Sequence, residues 1–308
     1  MSLSIVRIFF EAMACRCEVR LAAQSDANAR ILAQPALEEV RRIEGKYSRY
    51  RADSVVSRIN AQAALDWVEC DDETLALLDY ADTLFTLSAG LFDVTAGVLR
   101  RAWNFRHTVV PTAEPLRALC ELIDWRRVQR DTRRVRLPVV GMELDFGGFG
   151  KEYAADRAAQ ALLTQGVRHG YINLGGDIRV LGPKPGSEPW TIGIQDPRQA
   201  SQLIASIALT DGALATSGDY ERYFELAGRR YGHILHPRNG QPVDYWRSVS
   251  VLAPSALLAG SFATIAMLKQ ADGLAFLDGA GVAYLAVDHA GVVHRDKDQF
   301  RPAHCGNG

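Results

Sequence analysis

The sequence is short of the features that mark several functional classes. No run of residues approaches the roughly 18 consecutive apolar positions that cross a bilayer, so no membrane span is expected. An excess of one charge is missing too. Against 35 Lys and Arg stand 36 Asp and Glu, a formal net charge of −1, which gives no electrostatic case for nucleic acid or an anionic membrane surface. Cysteine is scarce and poorly spaced for pairing. The five (Cys15, Cys17, Cys70, Cys120 and Cys305) are odd in number and scattered, and Cys15 and Cys17 stand two apart in an expected strand. That suits neither zinc nor an easy disulfide, and a reduced environment is the simpler reading. Met1-Ser-Leu-Ser-Ile-Val-Arg7 has no basic start followed by a long apolar stretch, so the chain as given shows no signal peptide. Its expected location is cytoplasmic, or periplasmic if a leader has been trimmed. No repeat, low-complexity tract or clear linker divides the 308 residues, which suffice for a substantial core.

What is present is organised around Asp145-Phe-Gly-Gly-Phe-Gly-Lys151. The apolar run Val139 to Phe146 reads as a strand ending in three glycines. Beyond it Ala154, Ala158, Ala161 and Leu162 fall on one face of a helix, at i, i+4, i+7 and i+8. A strand, a glycine turn and a helix N-terminus together present free backbone N–H groups, which suit an anion and a phosphate above all. Asp145 and Lys151 add one charge of each sign. Neither familiar phosphate motif fits. A P-loop would need Gly where Asp145 stands and Ser or Thr where Glu152 stands, and the glycine spacing is wrong for a dinucleotide fingerprint.

Elsewhere, Ile5 to Phe10 and Cys17 to Leu21 read as strands. Leu32, Ala36, Val40 and Ile43 keep helical spacing up to Gly45, followed by a polar loop, Lys46 to Tyr50. A second helix follows Asp71-Asp72 and stops at Ala89-Gly90. The arginine-rich segment from Pro111 to Arg136 reads as a surface excursion. Tyr171 to Leu174, Thr191 to Gln195 and Val249 to Leu252 read as strands, while Leu214 to Tyr220 and Tyr231 to Gly240 are polar and glycine-punctuated. Pro254-Ser255 starts a helix with Ala259, Phe262, Ala263, Ala266 and Met267 on one face. A hairpin-like pair, Val282 to Val287 and Val292 to His294, closes the chain. Strands and helices mix without regular βαβ alternation, so the class is α+β, mixed sheets with packed helices in a single domain spanning 1–308.

Five segments in order resemble the FAD:protein FMN transferase (ApbE) family: Leu91-Phe-Asp-Val-Thr95, Asp145 to Asp156, Asn173-Leu-Gly-Gly-Asp177, Ala215-Thr-Ser-Gly-Asp-Tyr220 and His233-Ile-Leu-His-Pro-Arg-Asn-Gly-Gln-Pro242. The resemblance runs from about Met13 to the final strands. It implies an enzyme that uses Mg²⁺ to cleave FAD at its pyrophosphate and to transfer FMN to a Thr or Ser hydroxyl of a target flavoprotein. On this likeness Met13, Tyr50, Leu91, Phe92, Asp93, Asp145, Lys151 and Leu235 match FAD contacts, with Tyr50 the aromatic against the flavin nucleotide. Gly148 matches a metal-ligating position of the turn, where only its carbonyl is available. His233 matches the general base, since a hydroxyl is a poor nucleophile unless a base takes its proton.

One part of the likeness fails. The family completes its metal site on a helix with the pattern Ala-Asp-x-x-x-Thr, and here the chain reads Ala259-Gly260-Ser261-Phe262-Ala263-Thr264. Thr264 is kept as a metal ligand, but Gly260 deletes the carboxylate that Mg²⁺ would use. Ser261 is rotated by about 100° on the helix and is no simple substitute. His236 stands where the family usually has Asp before Pro, and imidazole suits Mg²⁺ poorly. Two readings follow: an active transferase, or a FAD-binding homologue of weak or no transfer activity that serves as a flavin carrier, an accessory protein or a slow FAD pyrophosphatase. On the sequence alone, Gly260→Asp should raise Mg²⁺ affinity and turnover.

Overall fold

The computed structural model describes residues 3–296 and 299–302; Met1, Ser2 and Cys305 lie outside them. The chain opens with a hairpin, β1 (Ser4–Ala12) and β2 (Cys15–Ala23). Val6, Ile8 and Ala12 alternate inward along β1. The turn residues Met13 and Ala14 have φ of 53° and 58°, the left-handed backbone that suits a two-residue hairpin. Helix α1 (Asp26–Tyr47) is capped by Ser25, whose hydroxyl accepts from Asn28 N–H at 3.2 Å. It runs two residues past Gly45 because Tyr47 buries its ring against Phe146, centroids 5.6 Å apart.

After α2 (Val55–Ala61) and the short β3 (Val68–Glu69) comes α3 (Asp72–Leu87), capped by Asp71 as the acidic start implied. A 3₁₀ helix, Val94–Arg101, then leads to α4 (Ala113–Cys120), β4 (Gln129–Arg130) and β5 (Arg134–Arg136). The stretch 111–136 is therefore more than an excursion. Several of its arginines face solvent, but Leu116, Trp125 and Val135 are buried and pin it down.

The expected strand from Val139 to Phe146 does not form. Its backbone finds partners outside any ladder: Leu144 N–H donates to Asn60 Oδ1 at 2.6 Å, Asn60 Nδ2 donates back to Leu144 O, and Asp145 N–H donates to Val94 O. Helix α5 (Gly150–Thr164) follows, burying Ala154, Ala155, Ala158, Ala159 and Leu162, while Ala161 is half-buried.

The rest of the chain supplies β6 (Gly170–Leu174), β7 (Asp177–Gly182), β8 (Trp190–Gln195), β9 (Leu203–Leu209) and β10 (Gly212–Gly218). Next come β11 (Tyr223–Leu226), β12 (Arg229–Gly232), β13 (Trp246–Ala253), α6 (Ala256–Lys269), α7 (Gly273–Ala280), β14 (Ala283–Asp288), β15 (Val293–Arg295) and β16 (Arg301–Pro302). Thus the glycine-punctuated 214–220 segment begins as a strand. The large sheet has the order β1-β2-β6-β7-β10-β13-β14-β15, and each neighbouring pair is antiparallel. One face meets α1, α5 and α6; Val249 and Val251 of β13 and Ala286 of β14 point that way. The other face meets the three-stranded β16-β9-β8 sheet through Ile178, Val180, Leu214, Leu285 and Val287. The period-two alternation of β14 thus feeds two cores, as a sheet covered on both sides requires.

A third, smaller aromatic cluster joins Trp103, Phe105, Phe224 and Tyr231 with Leu99 and Leu116. It ties the 3₁₀ helix, α4 and the β11–β12 hairpin together, and Trp103 Nε1–H donates to Gly240 O at 2.7 Å. The loop after β12 is thereby held from beneath.

Candidate active site

At one end of the large sheet β2 begins, β6 ends, β7 begins and β10 ends. The first turn of α5 arrives at the same end. Gly175 and Gly176 form the β6–β7 turn with φ of 61° and 104°. A Cβ at Gly175 would lie 2.9 Å from Cys15 Sγ and 3.8 Å from Lys151 Cδ. Glycine there lets the hairpin close against its neighbours.

Lys151 forms an ion pair with Asp177 at the start of β7, whose side chain is almost fully buried. Asp177 Oδ1 also accepts Thr216 N–H from β10 at 3.2 Å. The next residue, Ser217, brings its hydroxyl 2.9 Å from Thr264 Oγ1 on α6. Three expected or neighbouring polar groups, Lys151, Asp177 and Thr264, are therefore linked through one strand end.

The relation of α5 to α6 is fixed by Asp156. Its carboxylate accepts Ala256 N–H and Leu257 N–H, each at 2.9 Å, and so caps α6 together with Ser255. One turn back along α5 from Asp156 stands Glu152; one turn on along α6 from Ala256 stands Gly260. The two meet. A Cβ at Gly260 would be 2.5 Å from Glu152 Cγ and 2.6 Å from its Oε1. Glu152 is 7% exposed, and no donor of the protein reaches its buried Oε2. Burial first, and neighbouring Asp177 second, push its carboxyl up to about 8, against the opposing pull of Lys151.

His233 follows β12 directly. Its Nδ1 is buried with no protein partner. Burial, then the positive charges of Arg222 and Lys151, bring the imidazole down to about 4, so it is neutral at pH 7. His236 N–H donates to Gln241 O and Gly240 N–H donates to His236 O, both at 2.8 Å, closing the loop above the aromatic cluster. His236 Nδ1 accepts Arg238 N–H at 3.3 Å, so that ring serves the turn. Leu235 forms a bridge to Pro242 within the same loop and packs on the aromatic cluster.

The other expected contacts divide. Asp145 pairs with Arg49 and accepts Gly147 N–H at 2.9 Å. Arg49 in turn lies over the Tyr50 ring, 5.0 Å from its centroid, and the ring is 73% exposed, free to meet a flat ligand. Met13 N–H donates to Glu44 Oε1 at 2.7 Å, at the same sheet end. Gly148 is exposed, and a Cβ there would strike Phe92 Cζ at 2.8 Å. Phe92 itself is a core residue, stacked on Phe149 at 6.3 Å, and Leu91 leans on the same core, so their side chains serve packing. Asp93 is a cap. Its oxygens accept Thr95 N–H at 2.8 Å, Thr95 Oγ1–H at 2.6 Å and Trp125 N–H at 3.0 Å. Ser261 receives the Tyr80 hydroxyl at 3.0 Å and faces away from position 260, in keeping with its rotation on the helix.

Sequence reading singled out neither Glu152 nor Asp177 for the site. Asp177 closes Asn173-Leu-Gly-Gly-Asp177, and its place after two glycines was the available signal. Glu152 gave none, because its neighbour at position 260 is more than a hundred residues away. No cluster of three His, Cys, Asp or Glu side chains forms among the described residues. What the site offers a hard cation is two carboxylates and the Thr264 hydroxyl, an oxygen set suited to Mg²⁺. A shallow depression of about 470 Å³ lies elsewhere, beside Ser57 and Arg58, while a second of about 570 Å³ borders the same sheet end, lined by Gly175 and Gly176 together with Arg7, Phe9 and Arg16.

Comparison with known proteins places this geometry in context. The description "ApbE family" matches residues 13–286. The FAD:protein FMN transferase of Klebsiella pneumoniae is 36% identical over 73% of this chain and 72% of that protein. That of Vibrio cholerae is 31% identical over 82% and 76%. The crystal structure of the ApbE protein from Thermotoga maritima superposes with a TM-score of 0.87 at 33% identity, covering 96% of this chain and 97% of the other. The flavin transferase ApbE from Vibrio cholerae gives a TM-score of 0.82 at 26% identity, covering 97% and 96%.

Proposed function

This chain belongs to the ApbE family, and we propose that its sheet-end site performs the chemistry of that family's FAD:protein FMN transferases in the following way. The protein is a transferase whose substrates are FAD and a flavoprotein acceptor. The acceptor group is a Thr or Ser hydroxyl. Its oxygen forms a bond to the phosphorus on the FMN side of the pyrophosphate, the bond to the AMP oxygen breaks, and the hydroxyl proton passes to His233.

The observation that carries this reading is the state of His233. A neutral imidazole with a buried, unpartnered nitrogen is a base waiting for a proton, and general bases contribute roughly 10²–10⁴-fold to such reactions. Tyr50 and Arg49 offer a flat platform beside the Asp145 turn, and Lys151 places a positive charge toward the phosphates. A bound Mg²⁺, held at Thr264 and the Gly148 turn, would neutralise pyrophosphate charge.

The test mixes the protein with FAD, Mg²⁺ and an acceptor domain carrying a Ser/Thr flavinylation motif, and reads the acceptor's intact mass. The expected result is a gain of one FMN that disappears in His233→Ala and without Mg²⁺. FAD bound to the protein with no mass gained by the acceptor would overturn the transfer and favour the carrier reading.

A further inference from the structure

We propose that Glu152 supplies the cation-binding carboxylate that position 260 of this chain lacks, so that the divalent ion lies between α5 and α6 against Glu152, Asp177 and Thr264. The proposal rests on the transferase reading for the presence of a cation, and it concerns which residue of this chain holds it.

Space is the first argument. Gly260 is not an empty substitution: the volume its side chain would fill is occupied by the end of Glu152, with Oε1 2.6 Å from where a Cβ would stand. A carboxylate has been delivered to the same place from the facing helix. The Asp156 cap holds the two helices in the register that makes this possible.

Chemistry is the second. Buried polar atoms are normally satisfied, yet Glu152 Oε2 is buried and receives no donor. A carboxylate in such a position needs a proton or a cation. Lys151 does not serve, because its ammonium pairs with Asp177. With all three ionised, as a bound cation would require, Glu152, Asp177 and Lys151 carry one net negative charge for that cation to offset. The third argument is the donor set. Thr264 sits one turn beyond Gly260 on α6, and its hydroxyl bonds Ser217, the chain neighbour of Thr216, whose N–H donates to Asp177. Carboxylate and hydroxyl oxygens are what Mg²⁺ takes, with water and substrate phosphate completing its shell. The other candidates for replacing the lost acid are engaged elsewhere, Ser261 with Tyr80 and His236 with its own turn.

The alternative is that Glu152 is a protonated filler of the hole left by glycine. Glu152→Gln separates the two, since an amide of the same shape keeps the packing and removes the charge. Mn²⁺, a paramagnetic stand-in for Mg²⁺, is titrated by electron paramagnetic resonance into FAD-loaded protein without acceptor, with flavin fluorescence confirming the load. Wild type should bind Mn²⁺, and Glu152→Gln should bind it at least about tenfold more weakly, the low end of what even outer-shell partners of a metal contribute. Its thermal midpoint and FAD affinity should stay unchanged. The double variant Glu152→Gly with Gly260→Asp moves the acid to α6 and should recover Mn²⁺ binding. Equal Mn²⁺ affinity in wild type and Glu152→Gln overturns the proposal, as does a wild type that binds no Mn²⁺. Flavinylation by the wild type, measured separately, reports on the transferase reading. Transfer with a Glu152-independent ion leaves that reading standing and removes this one.

Discussion

His233 shows how burial sets a residue's task. Because the imidazole is held near 4, protonation does not disable it as pH falls through the 6.5 of a free histidine. Transfer activity should therefore persist to well below pH 6 and decline only toward pH 4. An acid limb centred near 6.5 in the kcat/KM profile would mean that the ring is solvated in the working enzyme. His233→Ala should lower turnover by about 10²–10⁴-fold with FAD affinity unchanged, checked by single-turnover transfer and flavin fluorescence. Tyr50 makes the opposite case. Its exposed ring contributes little to the fold, so Tyr50→Ala should leave the thermal midpoint within the small range of surface changes while raising the KM for FAD. At this scale the sequence named His233 and Lys151 by motif, and the structure sets them near enough for the Lys151 charge to act on the imidazole. At Asp93, matched on the sequence to a ligand contact, the structure adds a task the spacing did not show, closing the first turn of a 3₁₀ helix.

The elements whose apolar spacing is regular were legible. Helices α1, α3, α5 and α6 and the β14–β15 hairpin all lie where periodicity put them. Those that failed did so for identifiable reasons. Val139 to Phe146 has the composition of a buried strand, but Asn60 and the 3₁₀ helix satisfy its backbone instead of a ladder. β10 was hidden because Gly and Ala, which make up most of it, are weak strand formers, although its neighbours β7 and β13 pair along it. The pairing of α5 with α6 was equally invisible, and with it the meaning of Gly260. Gly260→Asp alone, which on the sequence should improve the enzyme, is now expected to harm it. A new side chain against Glu152 overpacks a buried helix contact, a change that costs about 1–3 kcal/mol, and it adds charge beside two carboxylates. Differential scanning calorimetry should show a lowered midpoint for the single variant, largely relieved by Glu152→Gly. Asp156→Ala, which uncaps α6, should destabilise by about 1 kcal/mol and weaken Mn²⁺ binding by loosening the α5–α6 register.

Across the whole molecule, one acidic residue ties three helices together. Glu73 of α3 accepts from Arg42 and pairs with Lys46 of α1, and it accepts the Tyr153 hydroxyl of α5 at 2.8 Å. Arg42 first, with Lys46 and Tyr153 adding to it against the effect of burial, holds the Glu73 carboxyl far below its ordinary 4.5. A group depressed on folding stabilises the native state above its unfolded value and loses that contribution as pH falls below it. Wild type should therefore exceed Glu73→Gln in thermal midpoint at pH 6, with the gap closing as pH drops below about 4.5. A gap that does not change with pH would assign Glu73 to packing alone.

The crowding between positions 152 and 260 also constrains ancestry. Because side chains at both sites compete for one volume, a lineage that passes from an acid on one helix to an acid on the other by way of both bears the overpacking cost of about 1–3 kcal/mol on the way. The other route, through a sequence with neither acid, would leave the site without that carboxylate for a time. Related sequences should accordingly split into two groups, each with its acid on one helix and a small residue facing it on the other.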